Sequence, residues 1–175
     1  MAIVAEDGTG KANAESYCTV AEASTYHSNI GNTAWASLAS DAIREQCLRK
    51  ATDFMLGRYR SRLAGSRKTT TQALDWPRSL VPVKDAPDLY GGSPTYYDDA
   101  SVPQAVKNAC ASLALRAATA TLLTDQTRTK KSVTVGPIST VYDDYSGQAV
   151  QYVEVDAMLA PFMKAGGNQV EMVRR

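Results

Sequence analysis

Apolar and polar positions along this chain follow a helical period in four places. Thr19-Val20-Ala21-Glu22 reads as a capping box, with Thr19 at the N-cap and Glu22 three residues on. Behind it Val20, Ala23, His27 and Ile30 recur at helical spacing, and Gly31 supplies a stop. Ser40 caps a second predicted helix with an apolar face of Ile43, Cys47, Ala51, Phe54 and Met55, ending near Tyr59. The third is the longest. Ser101-Val102-Pro103-Gln104 is its cap, with Pro103 in the first turn, where a missing N–H costs little. Val106, Cys110, Leu113, Ala117 and Ala120 form its stripe, and seven alanines fall between Pro103 and Thr124. Alanine has the best helix propensity, and its small side chain lets neighbouring helices approach closely. The fourth is short, with Asp156 as N-cap before Met158 and Leu159, and Pro161 interrupting it.

One segment has the β period. Ser132-Val133-Thr134-Val135 and Ile138-Ser139-Thr140-Val141-Tyr142 are β-branched runs on either side of Gly136-Pro137, which predicts a hairpin over about 132–142. Residues 61–100 carry Gly65, Gly91, Gly92, Pro77, Pro82, Pro87 and Pro94 and read as a long irregular loop. A loop of that length is functional or ordered by a partner. Gly166-Gly167-Asn168 reads as a hinge opening an extended arm over 164–175. The expected fold is mainly α: a small helical bundle over 1–163 with the hairpin, the loop and the C-terminal arm.

Composition narrows the class. The 175 residues carry 19 Lys+Arg against 18 Asp+Glu, a net charge of +1, which excludes a strongly basic coat for nucleic acid and an acidic disordered tail. The charge is blocked, however. Residues 41–84 hold ten basic and four acidic residues, whereas 85–99 hold four aspartates and no base. No apolar run reaches the roughly 18 residues a membrane helix needs, and residues 1–7 lack the basic and apolar regions of a signal peptide. No membrane partner and a cytoplasmic site of synthesis are expected. Cys18, Cys47 and Cys110 are odd in number and widely spaced, which fits reduced core thiols and neither a disulfide frame nor a zinc site.

Chemistry is sparse. His27 is the only histidine and lies on an apolar stripe, the place of a half-buried structural residue. Gly8-Thr9-Gly10-Lys11 resembles part of a phosphate loop but lacks a Ser/Thr after the lysine. Asp98-Asp99 and Asp143-Asp144 stand apart from any His or Cys and read as solvated turns. No catalytic residue, metal or cofactor is expected, and the chain is read as a non-enzyme. Arg58, Arg60, Arg62, Arg67 and Lys68 run with no acid between Asp53 and Asp75, with Tyr59 interleaved and Trp76 following. Such a stretch suits a phosphate backbone, with Tyr59 or Trp76 stacking on bases.

Several ordered stretches carry a resemblance. They are Val4-Ala5-Glu6-Asp7-Gly8-Thr9-Gly10, Ala12-Asn13-Ala14-Glu15-Ser16-Tyr17, Arg49-Lys50-Ala51-Thr52-Asp53, Gln72-Ala73-Leu74-Asp75-Trp76-Pro77-Arg78, Val102-Pro103-Gln104-Ala105-Val106-Lys107, Val135-Gly136-Pro137-Ile138 and Leu159-Ala160-Pro161-Phe162. Together they resemble a tailed-phage family often labelled DnaT-like single-stranded DNA-binding protein. Its members also look like the head-to-tail connectors, or adaptors, of long-tailed bacteriophages. The connector likeness implies a virion structural protein at the capsid–tail junction, made in the host bacterial cytoplasm. It implies a ring, typically of twelve subunits, on the portal protein, with a tail-side neck or tail-terminator protein beyond it. Double-stranded DNA would pass through transiently, which near-neutral charge favours. By that analogy Met172, Val173, Arg174 and Arg175 would meet the portal. Val133, Val135, Ile138 and Tyr142 would meet a neighbouring subunit, and Arg58, Arg60, Arg62, Arg67 and Lys68 would face DNA. Trp76, Pro77 and Arg78 would anchor the loop to the helices. The label carries the alternative, a single-stranded DNA-binding phage replication protein.

Overall fold

A computed structural model describes residues 2–86, 95–123, 132–135, 138–141 and 150–164. Among the described residues four helices run in the order α1 (Val20–Asn29), α2 (Asp41–Tyr59), α3 (Gln104–Thr119) and α4 (Val153–Leu159). The fold is mainly helical, with α3 packed against each of the other three. Its Ala109, Ala111, Ala114 and Ala117 are buried, so small side chains line the closest approach.

Local signals set most helix ends. The Thr19 hydroxyl accepts the Glu22 N–H at 3.1 Å, and the Glu22 carboxylate accepts the Thr19 N–H at 2.8 Å. Ser40 Oγ accepts the Ile43 N–H at 3.4 Å, and α2 ends at Tyr59 as the periodicity predicts. Three expected stripe residues fall outside the core. Ile30 is the C-cap residue of α1 and 54 % exposed, Ile43 lies exposed in the first turn of α2, and Ala120 is the exposed C-cap residue of α3.

Three boundaries differ from expectation. Pro103, not Ser101, occupies the N-cap of α3, and no side chain caps it. α3 stops at Thr119, short of residue 124: Ala120 turns to extended backbone while its N–H makes the last helical bond to the Arg116 carbonyl, which also accepts the Thr119 hydroxyl at 3.2 Å. Asp156 lies inside α4, which starts one turn earlier, and its N–H donates to Tyr152 O at 2.8 Å.

Residues 60–86 and 95–100 are irregular yet packed. A 3-10 turn, Arg60–Arg62, continues α2. Then Leu63 bridges Met163 antiparallel, β1 (Ser66–Arg67) pairs β2 (Arg78–Ser79), and Pro82 bridges Tyr96. Gly65 makes this approach possible: at φ +64 an added Cβ would sit 2.3 Å from Ser79 O. Leu63, Leu74, Trp76 and Val81 are buried beneath these bridges. The described part of the loop is therefore packed by its own buried residues.

β3 (Ser132–Val135) and β4 (Ile138–Val141) pair antiparallel, with Val133 opposite Thr140 and Val135 opposite Ile138. Their ranges match the predicted hairpin. Tyr142 and the arm candidates Met172, Val173, Arg174 and Arg175 lie outside the described residues. All three cysteines are free and buried.

Candidate nucleic-acid interface

The basic stretch begins where α2 runs out. A helix C-terminus carries a partial negative charge, so cations are favoured there. Arg58 sits in the last turn and Arg62 one turn further on, in the 3-10 turn. The Arg62 guanidinium lies 5.9 Å from the centroid of the Tyr59 ring. That ring is buried, and its hydroxyl is raised well above its ordinary pKa by burial and by its hydrogen bond to Asp156.

The Leu63–Met163 bridge brings a third cation to this end. The Lys164 N–H donates to Arg62 O at 2.8 Å, and Lys164 Nζ reaches Ser61 O at 3.1 Å. Lys84 Nζ follows the same edge, 3.2 Å from Ala160 O. Among the described residues, Arg58, Arg62 and Lys164 form no ion pair with a carboxylate. Lys164 was not legible as part of the basic stretch. It lies at the mouth of the predicted arm, and only a long-range bridge joins it to Arg62.

The remaining predicted cations are committed elsewhere. Arg60 Nε donates to Asp75 Oδ1 at 2.9 Å. Arg67 Nη1 donates to Gln72 O at 3.2 Å, and its side chain stays exposed. Lys68 Nζ lies 3.5 Å from Asp99, which also accepts the Ser79 hydroxyl at 3.1 Å. Arg78 is buried and donates to Ala64 O and Gly65 O at 2.8 Å and to Asp75 O at 3.3 Å. Burial lowers its pKa, and the nearby Asp75 charge opposes that. A guanidinium consumed by three carbonyls is a brace for the chain, not a phosphate ligand.

Base stacking on Tyr59 or Trp76 is not available. Tyr59 is 2 % exposed and Trp76 1 % exposed, and Trp76 packs edge-on to Phe162 at 5.3 Å. Hydrophobic burial outweighs solvent contact for both rings, since each fills a core position. Pro77 is buried beside Trp76. His27 is more deeply buried than expected. It stacks on Trp35 at 5.0 Å, with its Nε2 3.0 Å from Ala111 O. The loop at Gly8-Thr9-Gly10-Lys11 is filled from within. The buried Glu6 carboxylate accepts the N–H groups of Gly8, Gly10 and Lys11 at 3.0, 2.9 and 2.8 Å. An internal anion thus occupies the place a phosphate would take.

The fold is mainly helical, and among the described residues the end of α2 carries cations with no carboxylate partner. Residues 1–175 match the model of the family described as "Putative DnaT-like ssDNA binding protein", and the chain belongs to that family. Neither a curated protein nor a solved structure matches it. The family match overturns the expectation of a head-to-tail connector, and with it the portal protein and the tail-side neck or tail-terminator protein as partners. The family description names single-stranded DNA instead. The charge argument for free passage of double-stranded DNA also fails locally. Net charge is near neutral, but Arg58, Arg62 and Lys164 lie at one helix end and form no ion pair among the described residues.

Proposed function

We propose that this protein binds single-stranded DNA through the C-terminal end of α2, with Arg58, Arg62 and Lys164 on the phosphates and Arg67 extending the track. The observation that carries this is that Arg58, Arg62 and Lys164 all stand at one helix end, with no carboxylate partner among the described residues. Desolvated or paired cations have little left to offer a phosphate, whereas Arg62 and Lys164 are exposed and Arg58 is half-exposed. The family description supports the same ligand. The reading is of a binder and not an enzyme: His27, the one histidine, is buried with its Nε2–H spent on a carbonyl.

Fluorescence anisotropy with a labelled oligothymidylate tests this. Each phosphate neutralised on a single strand contributes about 0.7 to the slope of log K against log salt. Three contacts predict a slope of about −2, and replacing Arg58, Arg62 and Lys164 together by Gln is expected to abolish most of it. A folded wild-type protein with no salt-dependent binding overturns the proposal.

A further inference from the structure

The rings that the sequence offered for stacking are buried, so a single-strand site on this face needs another one. Among the described residues Tyr96 is the one aromatic ring that is exposed, at 45 %. It is also rigidly held. Its neighbour Tyr97 turns the other way and packs on Phe162, with ring centroids 5.0 Å apart. Val83 N–H donates to Thr95 O at 2.8 Å and Tyr97 N–H to Val81 O at 2.9 Å, clamping the backbone on both sides. Successive side chains of an extended segment point to opposite faces, so Tyr97 inside puts Tyr96 outside.

The ring does not stand alone. The Pro82–Tyr96 bridge places Pro82 beside it on the same face. Leu80, two residues before Pro82, is 65 % exposed and held at φ +60, a conformation that costs a bulky residue energy. Solvent-exposed apolar surface on a rigid frame is unfavourable in water and favourable under a flat apolar ligand. A cation lies on the same stretch of chain: the exposed Arg67 of β1 is opposite Arg78, four residues before Pro82. Asp98 and Asp99 follow Tyr96 closely and are exposed, and Asp99 is paired with Lys68 and Ser79. Those carboxylates repel phosphate, so an uncharged base, and not the backbone, is what meets Tyr96.

Resting on the single-strand reading, we infer that Tyr96, on a platform with Pro82, stacks on an unpaired base and is the residue that selects single-stranded over duplex DNA. A base inside a duplex has both faces covered by its neighbours and offers Tyr96 nothing. Every unpaired base has a free face, so the preference is for strandedness and not for sequence.

The test compares an oligothymidylate with a duplex of equal length, using wild type, Tyr96→Ala and Tyr96→Phe. Tyr96→Ala is expected to lose roughly tenfold in single-strand affinity. Its duplex affinity and its salt slope stay unchanged, because the phosphate contacts remain. Tyr96→Phe keeps the wild-type ratio. An oligonucleotide carrying 5-iododeoxyuridine is expected to crosslink to Tyr96 on irradiation. If wild type binds single strands and Tyr96→Ala binds them equally well, or crosslinks map only elsewhere, the inference is overturned and the single-strand reading stands. If wild type binds no single strand, that reading falls and takes the inference with it.

Discussion

Arg60 Nε lies 2.9 Å from Oδ1 of Asp75, a carboxylate that is only 2 % exposed while the arginine side chain remains 53 % exposed. This pair separates Arg60 from its neighbours in the basic stretch. To reach a phosphate, Arg60 would have to abandon a buried anion whose other oxygen has no partner. It therefore serves the fold first.

Arg60→Ala is expected to cost about 1–3 kcal/mol, the penalty of a buried acceptor left unpaired. For a chain of this size each kcal/mol lowers Tm by roughly 2–4 °C. Adding Asp75→Asn to Arg60→Ala should recover part of the loss, since the orphaned charge is gone. Single-strand affinity should fall less for Arg60→Ala than for Arg62→Ala, whose guanidinium has no carboxylate partner among the described residues. Thermal melts together with anisotropy titrations check both halves.

Stability should fall as the solution is acidified through the histidine range. Burial lowers the pKa of His27 from its ordinary 6.5, against the Ala111 carbonyl and the Glu154 charge, which raise it. The unfolded chain thus takes up the proton at a higher pH than the folded one. The stability is fully present above 6.5 and is lost as pH drops toward the lower folded value. Urea midpoints measured on either side of 6.5 should show the drop, and His27→Gln should flatten it.

Glu6→Gln should destabilise by about 2 kcal/mol, the scale of a charge-assisted hydrogen bond lost with a donor left facing a donor. The carboxylate accepts N–H groups through both oxygens, and an amide nitrogen cannot replace either. A shift of the urea midpoint without a change in m-value is the expected signature.

Trp76→Ala should cost about 3–5 kcal/mol, as for other large buried aromatics. The ring is packed against Phe162, which also carries Tyr97, so the cavity would loosen the segment that holds Tyr96. The variant is expected to lose stability and single-strand affinity together, whereas Tyr96→Ala loses affinity alone. Equilibrium unfolding and binding on the same preparations separate the two.

Helix positions and the hairpin were legible because their causes are local. The Thr19–Glu22 capping box, the Ser40 cap and the stripe of Cys47, Ala51, Phe54 and Met55 depend on residues three or four apart. The missed boundaries have local causes of a weaker kind. At Ser101 and Asp156 a residue of the right type stood near the right place, but the backbone began its turn elsewhere. The five cations of the basic stretch were also visible, but not which of them remained available.

By itself the sequence determined the helical class, the hairpin and the presence of a cation-rich stretch, since propensity, capping and alternation act between near neighbours. Tertiary structure alone decided that Asp75 takes Arg60, that Asp99 takes Lys68, and that Lys164 joins Arg62. It also decided that Tyr59 and Trp76 are buried while Tyr96 faces solvent. The reason is physical: whether a charge or a ring is free depends on what distant chain is folded against it, and no local pattern encodes that partner.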